Sequence, residues 1–333
     1  MHEQGRVLMS IFRATGWAAA LAMAPVFVAT AAAQTYPAKP IRIVVPYPPG
    51  GGTDIVARTL AQLMTPAMGQ QVVVENRGGA GGNIGMDAVA KSPPDGYTLV
   101  FAITAQLAVN PSLFPKLPYD LIRDYAPITL AGIAPYLLVI HPSIPAKSMK
   151  ELIALARKAP RKLSYATSGT GAAGHLGMEL LKQLENVDMV HVPYKGSANS
   201  RIDLLGGHVD VMFDVLRTAL PFKEAGKVRM LAVAALARQS IAPDVPTMDE
   251  LGYKGLEVLT WHALLAPAGF NKGLADKMQS VIRTALLAPA MKEKLTRDGV
   301  DALATTPAEL DAFMRADIEK WRKVIQAAKI RGD

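Results

Sequence analysis

Three glycine-rich turns, each set between an apolar run of strand length and the start of a helical pattern, constrain this chain more than any other feature. They are Pro46-Tyr47-Pro48-Pro49-Gly50-Gly51-Gly52-Thr53-Asp54, Arg77-Gly78-Gly79-Ala80-Gly81-Gly82-Asn83 and Thr167-Ser168-Gly169-Thr170-Gly171-Ala172-Ala173-Gly174. Glycine lets a ligand approach the backbone, and a helix that starts at such a turn points unpaired N–H groups at it. In open α/β sheets these turns lie at the carboxyl ends of parallel strands, where an anion or another acceptor binds. In the first turn the prolines stiffen the approach, and Thr53 or Asp54 is expected to cap the helix.

The surrounding periodicity agrees with an α/β fold. Strand-length apolar runs at 41–47, 71–75 and 97–103 alternate with amphipathic stretches that begin near Asp54 and Asn83. A second set of runs at 163–167, 189–192, 209–213 and 228–234 interleaves with helical patterns at 175–184, 197–205 and 219–225. Between the sets lie two extended, proline-bearing apolar stretches, 127–141 and 256–267, that lack a helical period. We read them as paired crossovers forming a hinge between two lobes, with helices at 272–287, 290–297 and 307–328 completing the first lobe. Lobe 1 is expected over 34–128 and 259–333, and lobe 2 over 129–258. The competing reading is one continuous doubly wound domain with long insertions.

The first 33 residues read as a secretory leader. Arg6 and Arg13 precede an apolar stretch from Trp17 to Ala29, and Ala31-Ala32-Ala33 supplies a small-residue cleavage pattern before Gln34. The apolar run is short for a membrane span and contains Pro25. An exported protein is expected. With no cysteine in the chain, disulfide frameworks, thiolate metal sites and a cysteine nucleophile are excluded. The formal net charge is +8, but the basic residues are dispersed and aromatics make up only 6% of the chain, so no nucleic-acid partner is expected.

The third turn matches G-x-G-x-x-G, yet the following run, 189–192, leads into Pro193-Tyr194-Lys195 without the acidic residue that would hold a ribose. No Walker lysine, G-x-S-x-G elbow or H-E-x-x-H helix occurs. His175 with Glu179, and His208 with Asp210, are incomplete as metal sites, so His175 is read as capping or lining its loop and His208 as a surface residue. Asp214, at the end of a strand, either faces the crevice or caps the next helix. No metal, cofactor or catalytic residue is expected.

These motifs, in this order, resemble the Bug family of periplasmic solute receptors, the binding components of tripartite tricarboxylate transporters. The resemblance also runs through Pro94-Asp95-Gly96-Tyr97-Thr98-Leu99, His191-Val192-Pro193-Tyr194-Lys195-Gly196 and Gly206-Gly207-His208-Val209-Asp210, and covers essentially the whole chain after residue 33. It implies a two-lobed periplasmic binding fold, type II-like, that closes on a small di- or tricarboxylate, acidic amino acid or aromatic acid without a metal. It further implies one wall formed by Tyr47, Pro49, Gly50, Gly51, Thr53 and Asp54, completed by Asn83 and by Thr104 and Ala105 in the 103–106 turn. The opposing wall would be Ser168, Thr170, Gly171 and Ala173 with Asp214. Tyr47 stands where phenylalanine is frequent, Gln106-Leu107 replaces a more polar pair, and 215–218 departs from the common pattern. There Arg217, if it reaches the cleft, would meet a second acidic group. A non-enzymatic monomer serving a membrane permease is expected. The alternatives are a secreted enzyme using Asp54, His175 or Asp214 as acid or base, and a receptor that signals to a sensor protein.

Overall fold

The computed structural model describes residues 36–332; the leader reading falls outside the described residues. Ten strands occur in the order β1 (Ile41–Val45), β2 (Val72–Asn76), β3 (Thr98–Ile103), β4 (Tyr125–Ile140), β5 (Ser164–Thr167), β6 (Val190–Pro193), β7 (Val211–Val215), β8 (Arg229–Val233), β9 (Leu259–Pro267) and β10 (Asp301–Ala302). The helices are α1 (Gly52–Met68), α2 (Asn83–Ala90), α3 (Asn110–Leu113), α4 (Met149–Lys158), α5 (Ala173–Glu185), α6 (Ser197–Leu205), α7 (Leu216–Glu224), α8 (Lys272–Leu286), α9 (Pro289–Arg297) and α10 (Pro307–Ala328). This is the alternation the sequence pattern predicts, arranged as a two-lobed periplasmic binding fold.

One half of the sheet has β1 parallel to β2 and β3, with β9 antiparallel to β3. The other half has β5 parallel to β6 and β7, with β7 and β8 antiparallel to the end of β4. The 16-residue β4 belongs to both halves: Tyr125–Pro135 pairs with β9, and Tyr136–Ile140 pairs with β7 and β8. The changeover is closed by a ring of backbone bonds, Tyr136 N–H to Val258, Val258 N–H to Ala234 and Ala234 N–H to Tyr136. The proline-bearing stretches of the sequence are therefore an antiparallel strand pair. Two register shifts, at Pro127–Thr129 and Leu130–Gly132, interrupt that pair within the first half, before the changeover at Tyr136.

Each half buries its own core. Val44, Val100, Ala102 and Trp261 pack under α2 and α10, while Leu138, Tyr165, Val211 and Phe213 pack under α4 and α5. Helix α1 shows why the pattern reads as a helix: Val56, Ala57, Leu60, Ala61 and Met64 recur on one buried face. It stops where Gly69 takes a left-handed conformation with φ 70°. Helix α10 starts at a reciprocal cap, in which Thr306 accepts from the Glu309 N–H while the Glu309 carboxylate accepts from Thr306, with Pro307 in the first turn. The cap expected at α1 is not formed. Gly51 precedes that helix with no side-chain cap, because Asp54 turns back to the loop instead.

Candidate functional site

The loop ends of the two halves meet around a cavity of about 180 Å3, lined by Tyr47, Ile103, Thr104, Ala105, Val109, Tyr136, Ser168, Gly171, Ala172, Ala173 and Thr260. No charged side chain lines it. A larger groove of about 540 Å3 along α1 and β2 brings no loop ends together.

Tyr47 comes from the first glycine turn. Its hydroxyl oxygen accepts from Gln106 Nε2 at 2.9 Å, which leaves its own hydrogen to donate. Gln106 is fully buried, and the same Nε2 donates to the Gly81 carbonyl at 2.7 Å. A Cβ at Gly82 would lie 2.5 Å from Gln106 Nε2, so glycine there is what admits the amide. Burial pushes the Tyr47 pKa up against the opposing effect of the Gln106 bond, keeping the phenol protonated. Tyr136, on the crossover strand, accepts a long bond of 3.4 Å from Thr260, and burial likewise raises its pKa.

Beyond β3 the chain enters a turn of π-helix at Ala105–Val109 that runs into α3. Such turns concentrate at functional sites, and here the amino end of the turn borders the cavity. The Thr104 hydroxyl is already committed: it donates to the Leu259 carbonyl at 3.1 Å and accepts from the Trp261 N–H at 2.9 Å. Thr104 thus ties the end of β3 to the crossover strand, and what it offers the cavity is backbone.

In the third turn the Gly171 N–H donates to His175 Nδ1 at 3.0 Å. His175 therefore caps the loop, as the sequence suggested. Its ring lies 3.9 Å, centroid to centroid, from that of His191, which in turn stacks on Tyr165 at 4.9 Å. Burial first, and the neighbouring His191 second, push the His175 pKa down to about 4, so the ring is neutral. Gly171 sits at φ +77°, and a Cβ there would lie 2.6 Å from Leu113 Cδ2 in the opposite half. Above this loop the Ser168 hydroxyl has no hydrogen-bond partner among the described residues, and the first-turn amides of α5 point out of its amino end.

The structure therefore gathers Tyr47, Thr104, Ala105, Ser168, Gly171 and Ala173 around one space. Pro49, Gly50 and Gly51 are exposed and, like the exposed Thr170, lie outside it. Asn83 is buried nearby, its Oδ1 accepting from Asn110 and from the Tyr119 hydroxyl. Thr53 lines a second cavity, described below. Asp54 accepts from the Gly50 N–H at 2.9 Å, Arg58 Nε at 3.0 Å and Asn76 Nδ2 at 2.9 Å. Burial would raise its pKa, but these three donors outweigh it and bring it down to about 2. Asp214 is held by Arg201 through bonds of 2.6 and 2.8 Å and accepts from the Val215 N–H, so it neither lines the cavity nor caps α7, whose N-cap residue Val215 has no side-chain cap. Tyr136, Thr260 and Val109 were not singled out from sequence. The apolar crossovers gave no signal of which residue would reach the cleft, because that depends on where β4 changes partners. Among the described residues no group of three His, Asp or Glu is placed to hold a metal.

The chain matches the tripartite tricarboxylate transporter family receptor over residues 56–330. It is 38% identical to protein BugT of Bordetella pertussis, over 92% of this chain and 96% of that one. Among solved structures it resembles MatC from Rhodopseudomonas palustris with bound malate, at 32% identity and TM-score 0.72, covering 87% of this chain and all of that one. An R. palustris protein solved with adipate is similar at 34% identity and TM-score 0.76, over 89% of this chain and 99% of the other.

Proposed function

The chain belongs to the tripartite tricarboxylate transporter family of receptors, and from that premise we propose that it captures a small organic carboxylate in the 180 Å3 cavity and presents it to a membrane permease. It is a periplasmic solute receptor and not an enzyme. The observation that carries the ligand assignment is the convergence of neutral donors from both halves on one uncharged space. Related proteins were solved with malate and with adipate, which supports the same ligand class.

In this reading one carboxylate accepts from the Tyr47 and Ser168 hydroxyls and from amides at the starts of α5 and the π-turn. Hydrogen bonds to an ionised acceptor are the strong ones, so several neutral donors hold an anion without a countercharge. Lobe 1 spans 34–128 and 259–333 and lobe 2 spans 129–258, so the donors meet the ligand only when the lobes close. Residues 1–33 are removed on export, and the mature protein is a monomer, which light scattering at working concentration would check.

Thermal-shift screening against an organic-acid panel, with native mass spectrometry of the purified protein, tests the assignment. A ligand at about 100 Kd should add about 2.7 kcal/mol of stability. Gly171→Val should abolish the shift, since it strains a positive φ and drives a side chain into Leu113. A full ligand-induced shift in that variant would contradict the assignment.

A further inference from the structure

Tyr136 is the residue that β4 contributes to the wall of the 180 Å3 cavity, and no other side chain between residues 130 and 140 carries a polar atom. It is partly exposed, and its ring packs against the core that holds Leu138, Tyr165 and Phe213. We propose that Tyr136 is a ligand-binding residue whose hydroxyl donates to the bound carboxylate, alongside those of Tyr47 and Ser168. The proposal rests on the carboxylate-receptor reading and adds a third hydroxyl donor, carried by neither glycine turn.

This tyrosine differs from its counterparts elsewhere in the chain. A buried tyrosine hydroxyl usually finds a short partner. Tyr125 donates to the Met86 carbonyl at 2.6 Å, Tyr165 to the Glu179 carboxylate at 2.5 Å and Tyr119 to Asn83 Oδ1 at 2.9 Å. Tyr136 has one such contact among the described residues, the 3.4 Å approach of Thr260 Oγ1, which is the donor. Hydroxyl pairs that bond well lie at about 2.7–2.8 Å, so this one contributes little. It also leaves the phenolic hydrogen without an acceptor. Thr260 lines the cavity too, which puts this underused pair at its wall. Burial keeps the phenol protonated, so the hydrogen is there to give.

The backbone under Tyr136 is fixed from two sides. Its N–H donates to Val258 at 2.9 Å, its carbonyl accepts from Ala234 at 2.8 Å, and the residue pairs with Val215 of β7. A donor held in place before binding costs little ordering when the ligand arrives. No charged side chain lines this cavity. Arg201 is spent on Asp214, and Arg217 lies 3.6 Å from Asp298 beside the second cavity, a space of about 440 Å3 that Thr53 also lines. A carboxylate, with about four acceptor positions on its two oxygens, therefore draws on neutral donors here, and three hydroxyls with the loop amides suit it.

The test is calorimetric titration of the ligand-free mature protein with butanoate, succinate, adipate and benzoate, repeated on three variants. Tyr136→Phe keeps the packed ring and removes only the hydroxyl. It should weaken every acid that the wild type binds by about tenfold or more, the size expected of a hydrogen bond to a charged group. The ligand-free melting temperature should not fall. Because the carboxylate is common to all four acids, the factor should agree between them within about twofold. Thr260→Val removes only the weak partner and should change affinity by less than about threefold. Tyr125→Phe removes a short bond outside the cavity, so it should lower the melting temperature and leave affinity within about twofold. A Tyr136→Phe loss below about threefold overturns the inference. So does a loss confined to the two dicarboxylates, or one matched in size by Thr260→Val or Tyr125→Phe. A Tyr136→Phe protein that melts lower or fails to fold makes the hydroxyl structural and overturns it as well. In each of these cases wild-type binding leaves the carboxylate reading standing, whereas no wild-type binding of any of the four acids removes both.

Discussion

Asp54 and Asp214 occupy equivalent places in the sequence, each beside a strand end and a helix start, and both invite a ligand-binding role. Each instead sits in a saturated set of donors that shapes the loops, and Gln106, unremarkable in sequence, orients the cavity's tyrosine. Gln106→Leu should weaken carboxylate binding about tenfold in titration by freeing the Tyr47 hydroxyl, at the cost of about one hydrogen bond in stability. Asn110 still reaches the Gly81 carbonyl in that variant. Two pH windows follow from named residues. His175 is held near 4 by burial and by His191, while its unfolded value is 6.5. The unfolded chain therefore takes up a proton across that interval that the folded chain does not, and melting temperature should fall as pH drops from 6.5 towards 4. Ligand affinity should fall as pH approaches 4, since imidazolium cannot accept the Gly171 N–H. Asp54 acts lower: its contribution, roughly 2 kcal/mol, is complete above 3.8 and is lost as pH falls through about 2. An acid melt of Asp54→Asn should lack that last loss.

At the scale of elements, the crossover pair sets the cleft. Thr104 clasps β9 through Leu259 and Trp261 beside the point where β4 passes between the halves. Thr104→Val keeps the shape but leaves the buried Trp261 N–H without its acceptor, which should cost about 1–3 kcal/mol in chemical denaturation. No loss in that measurement would mean the clasp is dispensable. Much of this scale was legible beforehand. Apolar runs bounded by glycine turns marked β1, β3, β5 and β7, and the helical pattern read over 307–328 matches α10. The π-turn at 105–109 was not legible, since its residues carry no local pattern that separates π from α winding. Nor was the bulged register of β4 on β9, which depends on pairing with a segment more than a hundred residues away.

For the molecule as a whole, an anion held by neutral dipoles behaves differently from one held by lysine or arginine. No charged side chain lines the 180 Å3 cavity, so Kd should change less than about twofold between roughly 50 and 500 mM salt, because screening acts on charges and hardly on short buried hydrogen bonds. A steep salt dependence in titration would point to a charged contact instead. The sequence by itself determined the α/β alternation, the two-part organisation and the first and third glycine turns that border the cavity, because these follow from local periodicity and from backbone freedom at particular residues. Only the tertiary structure decided which donors remain free. Thr104, Asp54, Asp214 and the Gly171 amide are spent on partners distant in the chain or hidden within their own turns, whereas Tyr47 and Ser168 are left with hydrogens to give. A hydrogen bond consumes a group's capacity wherever its partner lies, and the partners are fixed by packing rather than by neighbours in sequence.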